Sequence, residues 1–157
     1  MIIIDDGNPE KVKADLRLLG EQPSINKIIS YEKNQGKGHA LRMGVQDCTS
    51  EYIIYTDVDL PYSAESIIQI ADGLVNEKKQ FIVGVRDNDY YTHIPGSRSL
   101  LSRILQYVNR WVMRIPVADT QAGLKGFNRS LIPLFSKTKT KRYLIDLEFI
   151  KRVHKSG

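Results

Sequence analysis

Two carboxylates on alternate residues, Asp57 and Asp59, stand directly after the apolar run Tyr52-Ile53-Ile54-Tyr55. An acidic pair at the end of a buried strand supplies hard oxygen donors of the kind that suit Mg²⁺ or Mn²⁺. Such metals are typically held by one or two carboxylates together with the phosphates of a bound nucleotide. An isolated D-x-D is more often a solvated turn, so the elements around it decide its meaning.

Those elements alternate. Ile2-Ile3-Ile4 reads as a short strand, Pro9 to Leu19 as a helix, Ile25 to Tyr31 as a strand, 37–47 as a helix and 52–56 as a third strand. Ser63 to Asn76 carries Ile67, Ile70, Ala71 and Leu74 at helical spacing with Ser63 and Ser66 as caps, and Phe81 to Val85 is the next strand. A last helix is predicted from Ser97 to Arg114, and no element is predicted beyond it. The βαβ rhythm implies an α/β domain with a mostly parallel sheet covered by helices.

Right-handed crossovers deliver the C-terminal ends of parallel strands to one edge, where open α/β folds bind ligands. Polar groups follow each of four strands: Asp5-Asp6-Gly7, Glu32 to Gly38, Asp57-Val58-Asp59 and Arg86-Asp87. Together they predict a shared site for an anionic ligand and a metal. Within the second group, Asn34-Gln35-Gly36-Lys37-Gly38-His39 places two glycines and a lysine just before a helix, so its backbone can approach an anion closely. It lacks the G-x-x-x-x-G-K-[ST] pattern of a Walker loop, and His39 reads as a helix-start residue rather than a base.

Composition bounds the partners. The 157 residues are 41% hydrophobic and 26% charged, as in an ordinary globular domain, and they contain no apolar run long enough for a membrane span. One cysteine, Cys48, excludes an internal disulfide framework and leaves too few ligands for a structural zinc site. The excess of 23 Lys and Arg over 18 Asp and Glu, a net +5, favours an anionic partner. The densest basic run, Lys137 to Arg142, has no interleaved aromatics of the kind that stack on single-stranded nucleic acid. It reads first as a solvated loop and second as a contact for an acidic membrane surface.

Five motifs in order carry a resemblance: Asp5-Asp6-Gly7, Asn34-x-Gly36-Lys37-Gly38-x-Ala40, Asp57-x-Asp59, Asp119 to Phe127, and Asp146-x-Glu148. They resemble the family 2 glycosyltransferases, and within them the branch that makes polyprenyl-phosphate sugars, including dolichyl-phosphate glucosyl- and mannosyltransferases. The resemblance spans Ile2 to about Ile150. It implies the A-type glycosyltransferase fold, Rossmann-like and built to hold a nucleotide sugar, and inverting transfer of a hexose from a UDP- or GDP-sugar to a polyprenyl phosphate.

The resemblance also implies roles. Asp5, Asp6, Lys37 and Asp57 would bind the nucleotide sugar, and Asp57 and Asp59 would hold Mg²⁺ or Mn²⁺ at the diphosphate. Asp119 to Lys125 would line the acceptor side, and Arg86, Arg98, Ser102 and Lys125 would meet the acceptor phosphate. Asp57, Asp59, Asp119 and Asp146 are the catalytic candidates, with Asp119 or Asp146 as base should the acceptor be a sugar hydroxyl. Arg98 and Ser102, four residues apart on the predicted helix, share a face. The apolar stripe of that helix from Leu100 to Val112 is first a core face, and its Arg110, Trp111 and Arg114 also fit a lipid interface. With a single cysteine that fits a reducing compartment, the resemblance gives the expectation of a cytoplasmic chain at the inner face of a membrane, with no nucleic-acid partner.

Relative to the family pattern, the chain begins at what would be the second strand and stops soon after Asp146-x-Glu148. The expectation is one catalytic domain over 1–157, lacking its first strand and incomplete at both ends. Pro61 stands where mannosyl-transferring relatives often carry a metal-binding Gln. Three other readings remain: transfer to a saccharide hydroxyl, nucleotidyl transfer to a sugar phosphate, and a non-catalytic nucleotide-sugar-binding remnant.

Overall fold

The computed structural model describes residues 1–7, 9–58, 62–84 and 122–156. Its strands are β1 (Ile2–Asp6), β2 (Lys27–Tyr31), β3 (Tyr52–Tyr55), β4 (Phe81–Val83) and β5 (Lys125–Asn128). Its helices are α1 (Pro9–Gly20), α2 (Lys37–Asp47), α3 (Ala64–Val75), α4 (Ile132–Ser136) and α5 (Ile145–Ser156), with a 3-10 turn at Arg129–Leu131. The mixed α/β class is as the alternating pattern predicts. The predicted helix from Ser97 to Arg114 lies outside the described residues.

β1 and β2 pair in parallel, from Ile2 opposite Lys27 to Asp6 opposite Tyr31. This pairing carries Asp5 and Asp6 into the strand itself, two residues beyond the apolar run that marks it in the sequence. A second sheet has the order β3-β5-β4, with β5 antiparallel to both neighbours. β3 and β4 therefore run the same way, as expected, but an unanticipated strand lies between them. The antiparallel insertion has a direct consequence: β5 starts at the edge where β3 and β4 end, so Lys125 sits opposite both Tyr55 and Val83.

Alternation sorts the second sheet into two faces. Ile53 and Tyr55 of β3, with Phe127 of β5, point to one side and pack against Phe135 of α4 and Phe149 of α5. Ile54 and Tyr52 point to the other, against Ile70 and Leu74 of α3. Gly126 permits the close approach of α3, since a Cβ there would lie 2.4 Å from the Ile70 Cγ2. Ser63 caps α3 by accepting the Ser66 N–H at 3.3 Å.

The aromatic face is the dense one. Phe127 stacks on Phe135 at 5.6 Å between centroids, and Phe149 meets both edge-on at 5.1 and 4.7 Å. Offset-stacked and edge-to-face pairs each contribute about 0.5–1.5 kcal/mol beyond the area they bury. All three rings are fully buried, which fixes the start of α5 over the end of β3 and the beginning of β5.

Candidate functional site

Because Lys125 and Phe127 share a face of β5, the Lys125 side chain enters the same layer as the aromatic cluster and runs beneath α5. Its ammonium is enclosed at 0% exposure, pairs with Asp146 Oδ1 at 2.9 Å and donates to the Ala122 carbonyl. Asp146 lies in the first turn of α5, where a carboxylate also faces the positive end of the helix dipole. The Tyr55 hydroxyl donates to the same Oδ1 at 2.8 Å. The other oxygen, Oδ2, lies 3.1 Å from the Lys37 ammonium. Asp146, 2% exposed, is thus a hub with both oxygens engaged.

Lys37 extends the hub to the edge of the sheet. Its Nζ stands 2.9 Å from Asp57 Oδ1 as well, so one ammonium bridges a buried carboxylate and a partly exposed one. Burial pulls its pKa down, but the attraction of Asp146 and Asp57 more than offsets this, and the net direction is upward. Burial, with Asp146 next to it, raises the Tyr55 hydroxyl well above its ordinary value, so it stays a neutral donor. Asp57 fits closely against Gly123, where a Cβ would lie 2.3 Å from Oδ2.

The glycine loop that presents Lys37 is held from two sides. Asp6 accepts the Gln35 N–H at 2.8 Å on one oxygen and the Gly36 N–H at 2.8 Å on the other, and the Tyr31 hydroxyl adds a bond at 2.7 Å. That bond and burial push the Tyr31 pKa upward, burial having the larger effect. Asn34 Nδ2 donates to the Asp6 carbonyl at 2.9 Å. On the far side, Gly38 N–H donates to the Lys141 carbonyl at 2.8 Å. Gly36 has φ 92°, and a Cβ on it would lie 2.4 Å from the Lys141 carbonyl oxygen; one on Gly38 would lie 2.2 Å from that of Thr140. Glycine is required at both positions for the loop to lie against 140–141.

The structure therefore joins five of the anticipated residues, with different emphasis. Lys37, Asp57, Asp146 and Lys125 form one charged cluster, and Asp6 anchors the loop that feeds it. Among the described residues Asp5 accepts only the Ser30 hydroxyl, at 2.9 Å. Lys125, anticipated at the acceptor phosphate, is enclosed and turned to Asp146. His39 packs edge-on against the Tyr31 ring at 5.4 Å, in keeping with its reading as a helix-start residue. Asp59, Arg86, Arg98, Ser102 and Asp119 lie outside the described residues. Tyr55 and Tyr31 were not anticipated, since both read in the sequence as strand residues like any other.

Glu148 serves the loop rather than the cluster. It accepts the N–H groups of Lys139 and Thr140 at 2.9 Å each and pairs with Arg152 at 2.9 Å. Burial acts to raise its pKa, but these bonds overcome it and hold the carboxyl down to about 2.

Among the described residues no three His, Cys, Asp or Glu side chains converge to hold a metal ion. Asp57 offers hard oxygen donors at the rim, a chemistry that fits Mg²⁺ or Mn²⁺. No described helix is long and apolar enough to cross a membrane.

The chain is similar to known glycosyltransferases. The dolichyl-phosphate beta-glucosyltransferase of Saccharomyces cerevisiae is 25% identical over 170 residues, covering 96% of the chain and 51% of the relative. The Dictyostelium discoideum enzyme of the same name is 27% identical, covering 96% and 49%. A UDP-N-acetylglucosamine–dolichyl-phosphate N-acetylglucosaminyltransferase of Methanococcus voltae is 22% identical, covering 91% and 64%. The chain thus spans about half the length of the first two of these relatives. In three dimensions it resembles glucosyl-3-phosphoglycerate synthase of Mycobacterium tuberculosis, solved in complex with uridine-diphosphate. The TM-score is 0.59 at 18% identity, covering 95% of the chain and 52% of that protein. A likeness at this identity speaks for the fold alone. The family model described as Glycosyl transferase family 2 matches residues 1–134, which takes in the Asp6-anchored loop, Lys37, Asp57 and β5, and the chain belongs to that family.

Proposed function

We propose that the chain is catalytic sequence of a metal-dependent, inverting glycosyltransferase that moves a hexose from a UDP- or GDP-sugar to a polyprenyl phosphate at the cytoplasmic face of a membrane. The observation that carries the reading is the Lys37 ammonium held between Asp57 and Asp146 at the end of β3. It sets a fixed positive charge beside a partly exposed carboxylate, where a diphosphate and its metal would sit. The names of the dolichyl-phosphate relatives support the acceptor class.

The engagement of Asp146 favours a phosphate acceptor over a sugar hydroxyl. A general base must reach the proton it takes, and Asp146 is 2% exposed, with Oδ1 accepting from Tyr55 and Lys125 and Oδ2 held at 3.1 Å from the Lys37 ammonium. A phosphate monoester, with a second pKa of about 6, is largely ionised at neutral pH and needs no base. Its oxygen attacks the anomeric carbon as the bond to the nucleoside diphosphate breaks, and the configuration inverts. Asp57 and Asp59 would hold the Mg²⁺ or Mn²⁺ that neutralises charge on the departing diphosphate. Arg86, Arg98 and Ser102 would receive the acceptor phosphate, through paired guanidinium bonds in the case of the arginines.

The test is transfer of labelled hexose from UDP- and GDP-sugars into an organic-extractable product in the presence of polyprenyl phosphate. Transfer with Mn²⁺ and none with EDTA is expected. Transfer only to a soluble saccharide would replace the acceptor assignment. Binding of the nucleotide sugar without any transfer would leave a binding module.

A further inference from the structure

The basic run that the catalytic reading does not use is built into a rigid and unusual surface. The segment 137–142 is fixed by its backbone: Glu148 takes the N–H groups of Lys139 and Thr140, Gly38 donates to the Lys141 carbonyl at 2.8 Å, and Arg42 donates to the Thr140 carbonyl at 2.8 Å. With the backbone tied down, the side chains of Lys137, Lys139, Lys141 and Arg142 are left exposed. The next two residues are large, apolar in body and exposed: Tyr143 at 74% and Leu144 at 53%. The exposed Lys151 and Lys155 on α5 lie seven and eleven residues beyond Leu144, four apart on one stripe of the helix.

The fixed backbone serves the glycine loop, but a merely solvated segment gains nothing from a Tyr-Leu pair held out in water. Lysines and an arginine around an exposed tyrosine and leucine match a different environment, the interface of an anionic bilayer. There basic side chains meet lipid phosphates while amphipathic and apolar ones enter the headgroup layer. We propose that segment 137–144, extended by Lys151 and Lys155, is a docking surface for an anionic lipid bilayer. The surface abuts the loop bearing Lys37, so docking would bring the candidate site to the headgroup layer. The proposal rests on the lipid-acceptor reading for its purpose, and on the exposed side chains for its chemistry.

Vesicle flotation of the chain tests it, with phosphatidylcholine vesicles and with vesicles containing about a third phosphatidylglycerol. Binding to the anionic vesicles alone, weakening as salt rises, is expected. A variant carrying Lys139→Glu, Lys141→Glu and Arg142→Glu should bind at least about a hundredfold more weakly, at about fivefold per basic residue lost. Its circular dichroism spectrum and cooperative thermal unfolding should remain those of a folded chain. Tyr143→Ala with Leu144→Ala should weaken binding while preserving its salt dependence. Equal binding of the folded triple variant, or equal binding to neutral vesicles, overturns the proposal. So does RNA that binds through the same three residues and displaces the chain from vesicles. Vesicle binding that needs these residues in a chain that never glycosylates a lipid would overturn the acceptor reading and leave the docking surface standing.

Discussion

Asp146 and Lys125 form an ion pair at 2.9 Å in which neither side chain has more than 2% of its surface exposed. Removing one partner of a buried pair costs about 3–5 kcal/mol, because the other charge loses its compensation in a poorly solvated place. Asp146→Ala is therefore expected to destabilise the chain by about that much, read from urea denaturation midpoints. Asp146→Asn should cost less, because the amide oxygen can still accept from Tyr55. Loss of activity with full stability in Asp146→Asn would instead mark Asp146 as a chemical participant. An Asp146→Ala variant as stable as the parent would refute the hub.

Lys37 and an incoming divalent cation compete for Asp57, since the ammonium already sits 2.9 Å from Oδ1. Lys37→Ala should bind Mn²⁺ alone roughly tenfold more tightly, a difference of about 1.4 kcal/mol. It should bind UDP or GDP more weakly, having lost a cation at the diphosphate. Titration calorimetry with metal and nucleotide added separately distinguishes the two effects. An unchanged Mn²⁺ affinity would mean that Asp57 is not a metal ligand, and Asp57→Asn should abolish the gain.

These relationships were unevenly legible in the sequence. The strands and helices up to Val83 follow from apolar periodicity and caps, within a residue or two of their ends, because each buries a regular stripe. β5 did not show itself: Lys125-Gly126-Phe127-Asn128 contains one aromatic residue and three residues of poor strand propensity. It becomes a strand because β3 and β4 supply pairing on both sides and because Gly126 lets α3 come close. α5 had a readable signal in Ile145, Phe149, Ile150 and Val153 at helical spacing. The motifs named Lys37, Asp57, Lys125 and Asp146 as site residues, but motifs carry no distances. That one ammonium joins two of them depends on aromatic packing that fixes α5 over β3, a long-range outcome beyond the reach of local pattern.

The two glycines before α2 give a steric prediction. Gly38→Ala places a methyl group 2.2 Å from the Thr140 carbonyl oxygen, a backbone atom that cannot rotate away. Overpacking of this kind costs about 1–3 kcal/mol. The loop should part from 140–141, shifting Lys37 and lowering nucleotide affinity together with stability. Gly36→Ala should be worse, because φ 92° adds backbone strain to a similar clash. Both variants are read by thermal midpoint and nucleotide titration. A Gly38→Ala chain with parental midpoint and affinity would show that the contact between the glycine loop and 140–141 is dispensable.

Glu148 sets a pH dependence whose sign is fixed by its depressed pKa. The carboxyl is held down to about 2 from an ordinary 4.5 by the N–H groups of Thr140 and Lys139 and by Arg152. A carboxyl with a lowered folded-state pKa stabilises the fold fully above its unfolded value, and that contribution fades as pH falls from about 4.5 toward 2. Glu148→Gln cannot ionise and should lose the contribution at every pH. The parent should be the more stable of the two near neutrality, and the gap between them should narrow steadily below pH 4.5. Denaturation midpoints measured from pH 7 to pH 2.5 supply the comparison. A gap that stays constant across this range would mean that Glu148 holds the 139–140 backbone by shape and neutral hydrogen bonding rather than by its charge.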